Sequence, residues 1–274
     1  GVIHFAAYAY VGESIFKPLE YYKNNIGESL NLFESIINFN KSFNRNIPIV
    51  FSSTCATYGL TNKIPILEDT EQKPINPYGY SKLVIERLLQ DFSRAYGLKT
   101  IILRYFNAAG ADPNGKLGED HQPETHLIPL IFDVISKKKD VLEIFGDNYP
   151  TEDGTCIRDY IHVGDLADAH VLSLKRLLSL TSTKKNYCEI FNLGNGKGYS
   201  VKQIINSVEK VTGLKVKTKI SPRRQGDPPI LIASSKKASS SLCWEPKYSD
   251  INIIIKHAWA WYLTKNKLKE FSNN

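Results

Sequence analysis

Two short apolar runs, residues 47–51 (Ile-Pro-Ile-Val-Phe) and 100–105 (Thr-Ile-Ile-Leu-Arg-Tyr), bracket a long stretch with helical spacing. Runs of this kind, rich in β-branched side chains, read as strands buried on both faces. The stretch between them opens at Pro77, which is pre-organised for a first helical turn. It carries Leu83, Ile85, Leu88, Leu89 and Phe92 as its core side and meets Gly97, a left-handed cap. Strand, long helix, strand is a crossover unit, and such units assemble right-handed into a parallel sheet. Residues 2–6 and 189–193 read as further strands, and 24–43 as an amphipathic helix carrying Ile26, Leu30, Phe33, Ile36 and Ile37. The expected fold class is α/β, with a doubly wound parallel sheet of Rossmann type.

Past Asn107 the character changes. Residues 108–124 are rich in Gly, Pro and Asp, a long loop of the kind that carries function. Helices are expected over 127–137, 165–180 (opened by Asp165), 201–212, 234–242 and 250–263, with strands over 142–145, 157–162 and 215–220. This later part reads as a smaller α/β lobe. A chain of 274 residues, 42% apolar and 23% charged, can bury one large core or a core with a lobe. No apolar run approaches the roughly 18 residues that span a bilayer, so no membrane partner is expected.

The net charge of +7 comes partly from Lys137-Lys138-Lys139, Lys184-Lys185, Lys236-Lys237 and a tail with Lys265, Lys267 and Lys269. Such runs read first as solvated helix ends and loops. No aromatic-interleaved basic motif points to nucleic acid. A positive field does suit an anionic, diphosphate-bearing substrate. The four cysteines are scattered, without a Cys-x-x-Cys or a metal-like pairing with His, which fits reduced thiols in the cytoplasm and no metal.

Chemistry enters with Tyr78 and Lys82. They stand at i and i+4 on one helix face, and no other of the fifteen tyrosines has a lysine four residues on. A phenol is a poor base at neutral pH, and a neighbouring ammonium is expected to lower its pKa. The pair is the minimal kit for taking a proton from an alcohol. Thr54, closing Ser52-Ser53-Thr54 at a strand end, is placed to orient a substrate hydroxyl, because ligands of parallel sheets lie beyond the carboxyl ends of the strands. An ordinary turn cluster is the competing reading. Tyr105-Phe106-Asn107 offers an aromatic platform and an amide, or simply ends a core strand. Arg158 and Arg224 present forks suited to a diphosphate, or surface salt bridges.

Taken together, these residues resemble the UDP-glucose (UDP-galactose) 4-epimerases of the extended short-chain dehydrogenase/reductase family. The similarity runs from the first residue to about Trp261. It is carried by Val11-Gly12-Glu13-Ser14, Phe51-Ser52-Ser53, Leu103-Arg104-Tyr105-Phe106-Asn107, Gly118-Glu119-Asp120 and Asp153-Gly154-Thr155. It continues through Arg158-Asp159-Tyr160-Ile161-His162-Val163, Asp165-Leu166-Ala167-Asp168-Ala169-His170 and Phe191-Asn192-Leu193-Gly194. The resemblance implies NAD as cofactor and a UDP-sugar as substrate, with Tyr78, Lys82 and Thr54 catalytic. Phe5, Ala6, Asn24, Lys82, Tyr105 and Phe106 would line the NAD. Thr54, Tyr78, Asn107, Leu127, Phe145, Arg158, Arg224, Asp227 and Leu231 would hold the UDP-sugar. Residues 1–107 would be the C-terminal part of the NAD-binding domain and 108–274 mainly the UDP-sugar lobe, with segments from about 155 to 195 returning to the first. A homodimer is implied for the full-length protein, through the long helix after Asn24 and the Tyr78 helix.

Departures from the family pattern are informative. No Gly-x-x-Gly-x-x-Gly opens the chain, which reads as beginning in mid-domain, so an N-terminally truncated sheet and weak NAD binding by this chain alone are expected. Ala9 stands where some members have lysine, and His126 where an asparagine helps hold the sugar nucleotide. Leu231 occupies the position that sets the size of the sugar pocket, which leaves UDP-GlcNAc open. A 4,6-dehydratase would need Asp-Glu after the threonine; Cys55-Ala56 stands there instead. A UDP-pentose 4-epimerase uses the same catalytic residues, and a non-catalytic remnant lacking its cofactor loop is a further alternative.

Overall fold

The computed structural model describes residues 1–180, 186–224 and 227–267; Lys184-Lys185, Gln225-Gly226 and Lys269 lie outside the described residues. The chain divides into two compact units. The first comprises Gly1–Tyr105, Asp168–Leu193 and Ser234–Trp244; the second comprises Phe106–Ala167, Gly194–Ala233 and Glu245–Asn274. Each unit is therefore laced together from three separate stretches of chain.

The first unit holds an all-parallel sheet in the order Val2–His4, Ile49–Thr54, Thr100–Tyr105, Cys188–Leu193. Its central strands are buried on both faces, as their continuous apolar sequences require. Phe33, Ile36, Ile49, Phe51, Ile85, Leu89 and Ile102 form the core beneath them. The second strand runs on past Phe51 to Thr54, because Ser52, Ser53 and Thr54 pair with Leu103, Arg104 and Tyr105. The first stops at His4, where its pairing with Phe51 ends. The helix expected over 24–43 is α-helical only across Ser29–Phe43; a wider π-helical stretch, Tyr22–Glu28, precedes it.

The helix Pro77–Tyr96 sets the site. Asn76 caps it, its Oδ1 accepting the Gly79 N–H at 2.8 Å, and Gly97 closes it with φ of 70°. Its buried face carries Tyr78, Lys82, Ile85, Glu86 and Leu89, so three polar groups follow one another at i, i+4 and i+8. Glu86 is fully buried and is met by Arg104 on the neighbouring strand, Nη2 to Oε2 at 2.7 Å and Nε to Oε1 at 3.0 Å. Gln72 and Ser53 also donate to Glu86. Arg104 donates in turn to Tyr58 Oη at 2.8 Å and to the Glu68 carbonyl at 3.0 Å. A buried ion pair persists only when its remaining donors and acceptors are bonded in this way.

In the second unit, Ile157–His162 is flanked in parallel by Asn107–Ala109 and Ile230–Leu231 and pairs antiparallel with Gly198–Ser200. Leu142–Phe145 runs parallel to Thr218–Ser221. Helices Leu127–Ile135, Val201–Thr212 and Ile251–Asn266 supply Ile131, Phe132, Ile204, Val208, Ile254 and Trp259 to its core. The first of these stops short of the expected residue 137, where Lys137 takes a φ of 63°. Asp165 does not open its helix, which begins at Val163; its carboxylate instead accepts the backbone N–H groups of Lys247 at 2.8 Å and Tyr248 at 3.0 Å. Among the described residues, no helix is long and apolar enough to cross a membrane.

Candidate active site

In the first unit, Thr54 ends its strand and Tyr78 begins the long helix. Gly79 brings them together: a Cβ there would sit 2.6 Å from the Ala56 carbonyl oxygen, so only glycine lets the helix start pack this closely on the turn after Thr54. Thr54 lies close enough to Tyr78 for its side chain to favour the phenolate. Thr54 Oγ1 also accepts the Ala56 N–H at 3.1 Å, which fixes its rotamer. Burial pushes the Tyr78 phenol well above its ordinary value, Tyr105 adds to the shift and Thr54 opposes it. The expected lowering by Lys82 is thus overturned for the chain as it stands: desolvation of the phenolate dominates.

Lys82 is buried, with Nζ donating to the Ser52 carbonyl at 2.8 Å and lying 4.8 Å from the Phe51 ring centre. Burial lowers its pKa to about 8, while Glu86 one turn further on acts in the opposite sense. Ser52 is a junction. Its hydroxyl is 2.8 Å from His170 Nε2, and its side chain opposes the rise that burial imposes on the Tyr105 phenol. His170 packs against Phe5 (centroids 4.6 Å apart) and Tyr105 (6.2 Å). Phe5 itself is 57% exposed, as an apolar ligand-facing group would be. Asn24 is half-buried and donates to the side chain of Asn25 at 3.0 Å. Asn25, fully buried, bonds both Tyr8 backbone groups and Ser81 Oγ, tying residues 8 and 81 together. Neither His170 nor Asn25 was assigned a role from sequence. The signal for His170 was a polar ring on the core side of an amphipathic helix.

In the second unit the remaining residues fall into two groups. Arg158 pairs with Asp227 and also donates to the Ile157 carbonyl at 2.8 Å. Leu231 lies opposite Arg158 in the strand register and is buried. Arg224 stacks over Phe145, its guanidinium carbon 4.0 Å from the ring centre. Asn107, on the other side of the Ile157–His162 strand, lines a cavity with Leu127, Glu119 and His126. Phe106 is buried next to it. Asp159, between these groups, accepts backbone N–H groups from Asn195, Gly196 and Ala233 and so holds the Gly194 turn; burial raises its pKa to about 6.

A Tyr–Lys helix beside a parallel sheet, with a threonine hydroxyl next to the tyrosine at a strand end, defines an enzyme of the short-chain dehydrogenase/reductase class. Residues 1–194 match the model of the NAD dependent epimerase/dehydratase family. The UDP-glucose 4-epimerase of Halalkalibacterium halodurans is 50% identical over 276 residues, covering 98% of this chain and 80% of that protein. The crystal structure of the Brucella ovis UDP-glucose 4-epimerase in complex with NAD matches with a TM-score of 0.86 and 46% identity, over 94% of this chain and 77% of that one. The Bifidobacterium longum UDP-glucose 4-epimerase in complex with NAD+ and UDP matches with a TM-score of 0.85 and 38% identity, over 97% and 76%. This chain belongs to the NAD dependent epimerase/dehydratase family.

Proposed function

We propose that this chain interconverts UDP-glucose and UDP-galactose by transient oxidation at C4 of the hexose, with NAD as cofactor. The observation that carries the reading is Tyr78 and Lys82 on one buried helix face, the Lys82 amine held by the Ser52 carbonyl two residues from Thr54. The residues present fit the cofactor. Among the described residues the Lys82 ammonium makes one hydrogen bond, which leaves donors for the hydroxyls of a nicotinamide ribose. Phe5 and Ala6 are exposed beyond the end of the first strand, and Tyr105 ends a neighbouring one. With Asn24 and Phe106 they are the residues we assign to NAD, and residues 1–107 to its domain.

NAD, when bound, supplies the hydride acceptor for C4 and the hydride that returns to the other face of the sugar. Tyr78 takes the proton of the C4 hydroxyl and gives it back. Thr54, beside the Tyr78 phenol, offsets part of the cost that burial imposes on the phenolate. Asn107, Leu127, Phe145, Arg158, Arg224, Asp227 and Leu231 bind the UDP-sugar, the two arginines on the diphosphate; residues 108–274 are mainly this lobe. The proposal extends to a cytoplasmic setting, supported by four free cysteines, and to a homodimer. Leu30, Phe39 and Phe43 on one helix and Tyr80 and Tyr96 on another, all exposed, are the surface available for such a dimer.

The test is Tyr78→Phe. The variant should keep its NAD content but lose about two to four orders of magnitude in turnover of UDP-galactose, the usual scale for a positioned acid–base group. Near-normal turnover would show that another group is the base.

A further inference from the structure

One loop of the second unit gathers a donor set that the proposed epimerisation does not need. Along Glu119-Asp120-His121-Gln122-Pro123-Glu124-Thr125-His126, two glutamates and two histidines alternate, with Asp120 beside the first. One donor atom from each of Glu119, His121, Glu124 and His126 lies within 4.8 Å of the other three. The sequence reading expected no metal and looked for one only among the cysteines. The loop's own spacing, with histidines five residues apart and glutamates five residues apart, was the signal available.

The geometry goes beyond an accumulation of charge. Both histidines turn the same nitrogen, Nδ1, toward one oxygen, Glu119 Oε1, at 2.9 Å for His121 and closer for His126. Their rings are 5.3 Å apart and inclined at 53°, so they converge edge-first on that point without stacking in parallel. Glu124 is fixed separately: its Oε1 accepts the backbone N–H groups of Thr125 at 2.7 Å and His126 at 2.8 Å. That oxygen stands 3.6 Å from His126 Nδ1, too far for a hydrogen bond. Around a tetrahedral ion with ligand bonds of 2.0–2.1 Å, neighbouring donors are about 3.3 Å apart; His121–Glu119 at 2.9 Å and His126–Glu124 at 3.6 Å lie near that spacing, while His126 and Glu119 stand closer and must part to admit an ion. The loop is anchored as well. Trp261 Nε1 donates to the Glu119 carbonyl at 2.9 Å, and Gly118 lies so close to the Trp261 ring that a Cβ would be 2.2 Å from it.

We propose that Glu119, His121, Glu124 and His126 form a binding site for a divalent transition-metal ion, zinc in the first instance. Two imidazoles and two carboxylates suit Zn²⁺, Co²⁺ or Ni²⁺, whereas Mg²⁺ and Ca²⁺ prefer oxygen-only shells. Both histidines are nearly half exposed, which gives an ion a way in, and the two carboxylates balance its charge. Glu119 and His126 also line the cavity beside Asn107 and Leu127, so an ion here would hold that wall in one arrangement.

The test uses the full chain without a histidine tag, stripped with a chelator and titrated with Zn²⁺ against a chromophoric competitor, and separately with Co²⁺. The expected result is one Zn²⁺ per chain and visible Co²⁺ bands of tetrahedral intensity. His121→Ala and Glu124→Gln should each weaken Zn²⁺ binding by at least about tenfold, and the His121→Ala/His126→Ala double variant should abolish it. His257→Ala, outside the loop, should leave it unchanged. Circular dichroism matching that of the parent confirms folding, and if the double variant does not fold the two single variants decide. Sub-stoichiometric binding by the parent chain, or an affinity unmoved by His121→Ala and Glu124→Gln, would overturn the site and leave the loop held by its own hydrogen bonds between His126 and Glu119.

Discussion

Lys82 reaches the carbonyl oxygen of Ser52 at 2.8 Å, and that single bond anchors a cation buried between a helix and a sheet. The arrangement is costly, because an ammonium moved from water loses hydration that one carbonyl does not restore. Its free form titrates near 10.5 and its buried form near 8. Below pH 8 both the folded and unfolded chains carry the proton, and the full cost falls on the folded state. Between 8 and 10.5 the unfolded chain alone binds it, so stability rises with pH through that window.

Lys82→Met should therefore stabilise the fold at pH 7, by about 3 kcal/mol from the size of the shift, with the gain shrinking to nothing near pH 10.5. The same variant should lose turnover, which is the exchange of stability for activity found at functional sites. Urea midpoints at pH 7 and pH 10 measure it. Equal midpoints for variant and parent at pH 7 would show that the ammonium is better solvated than its surroundings indicate.

Gly79→Ala tests the approach of the helix to the turn after Thr54. In a free helix the change would gain about 1 kcal/mol. With the Ala56 carbonyl 2.6 Å from the new Cβ, the helix start must move instead, carrying Tyr78 away from Thr54. We expect a net loss of stability and at least a tenfold fall in turnover. A variant both more stable and fully active would mean that the turn gives way freely.

Arg224→Ala should separate binding from folding. Arg224 is exposed and stacks on Phe145, so its removal should change stability by no more than about 0.5 kcal/mol. If it bears on the diphosphate, KM for the UDP-sugar should rise roughly tenfold or more, while Tyr78 chemistry is untouched. Steady-state kinetics with UDP-galactose give the answer, and an unchanged KM would remove Arg224 from the site.

Glu86→Ala should be the most damaging change in the first unit. It leaves Arg104, fully buried, without its carboxylate, and such a loss costs about 3–5 kcal/mol. Thermal unfolding will show whether the variant folds at all. A shift of only a degree or two would mean that water or another acceptor reaches Arg104.

Much of the frame could be read from the chain because its signals are local. The parallel strands announced themselves as apolar runs, and Pro77 and Gly97 marked the helix that carries Tyr78. What escaped depended on partners distant in sequence. Ser52, Ser53 and Thr54 look like a turn until Leu103, Arg104 and Tyr105 pair with them. The strands Asn107–Ala109, Gly198–Ser200 and Ile230–Leu231 are too short to show a period of two. Glu86 and Arg104 carried no expectation from sequence, although one lies at i+4 from Lys82 and the other interrupts an apolar strand. The Tyr78 phenol was misjudged for a related reason: the pairing with Lys82 is visible in the spacing, whereas the desolvation that outweighs it is a property of the packed surroundings.

The threefold lacing of each unit has a consequence for how the molecule comes into being. The chain passes from one unit to the other five times, and the last stretch of the first unit ends at Trp244. A ribosome must therefore extend the chain past Trp244 before the first unit has its complete set of parts, so folding of one unit before the other begins is closed to it. Gene rearrangement meets the same obstacle. A single crossover at any of the five junctions would give a hybrid of both units, and neither can be inherited, exchanged or expressed as one uninterrupted piece.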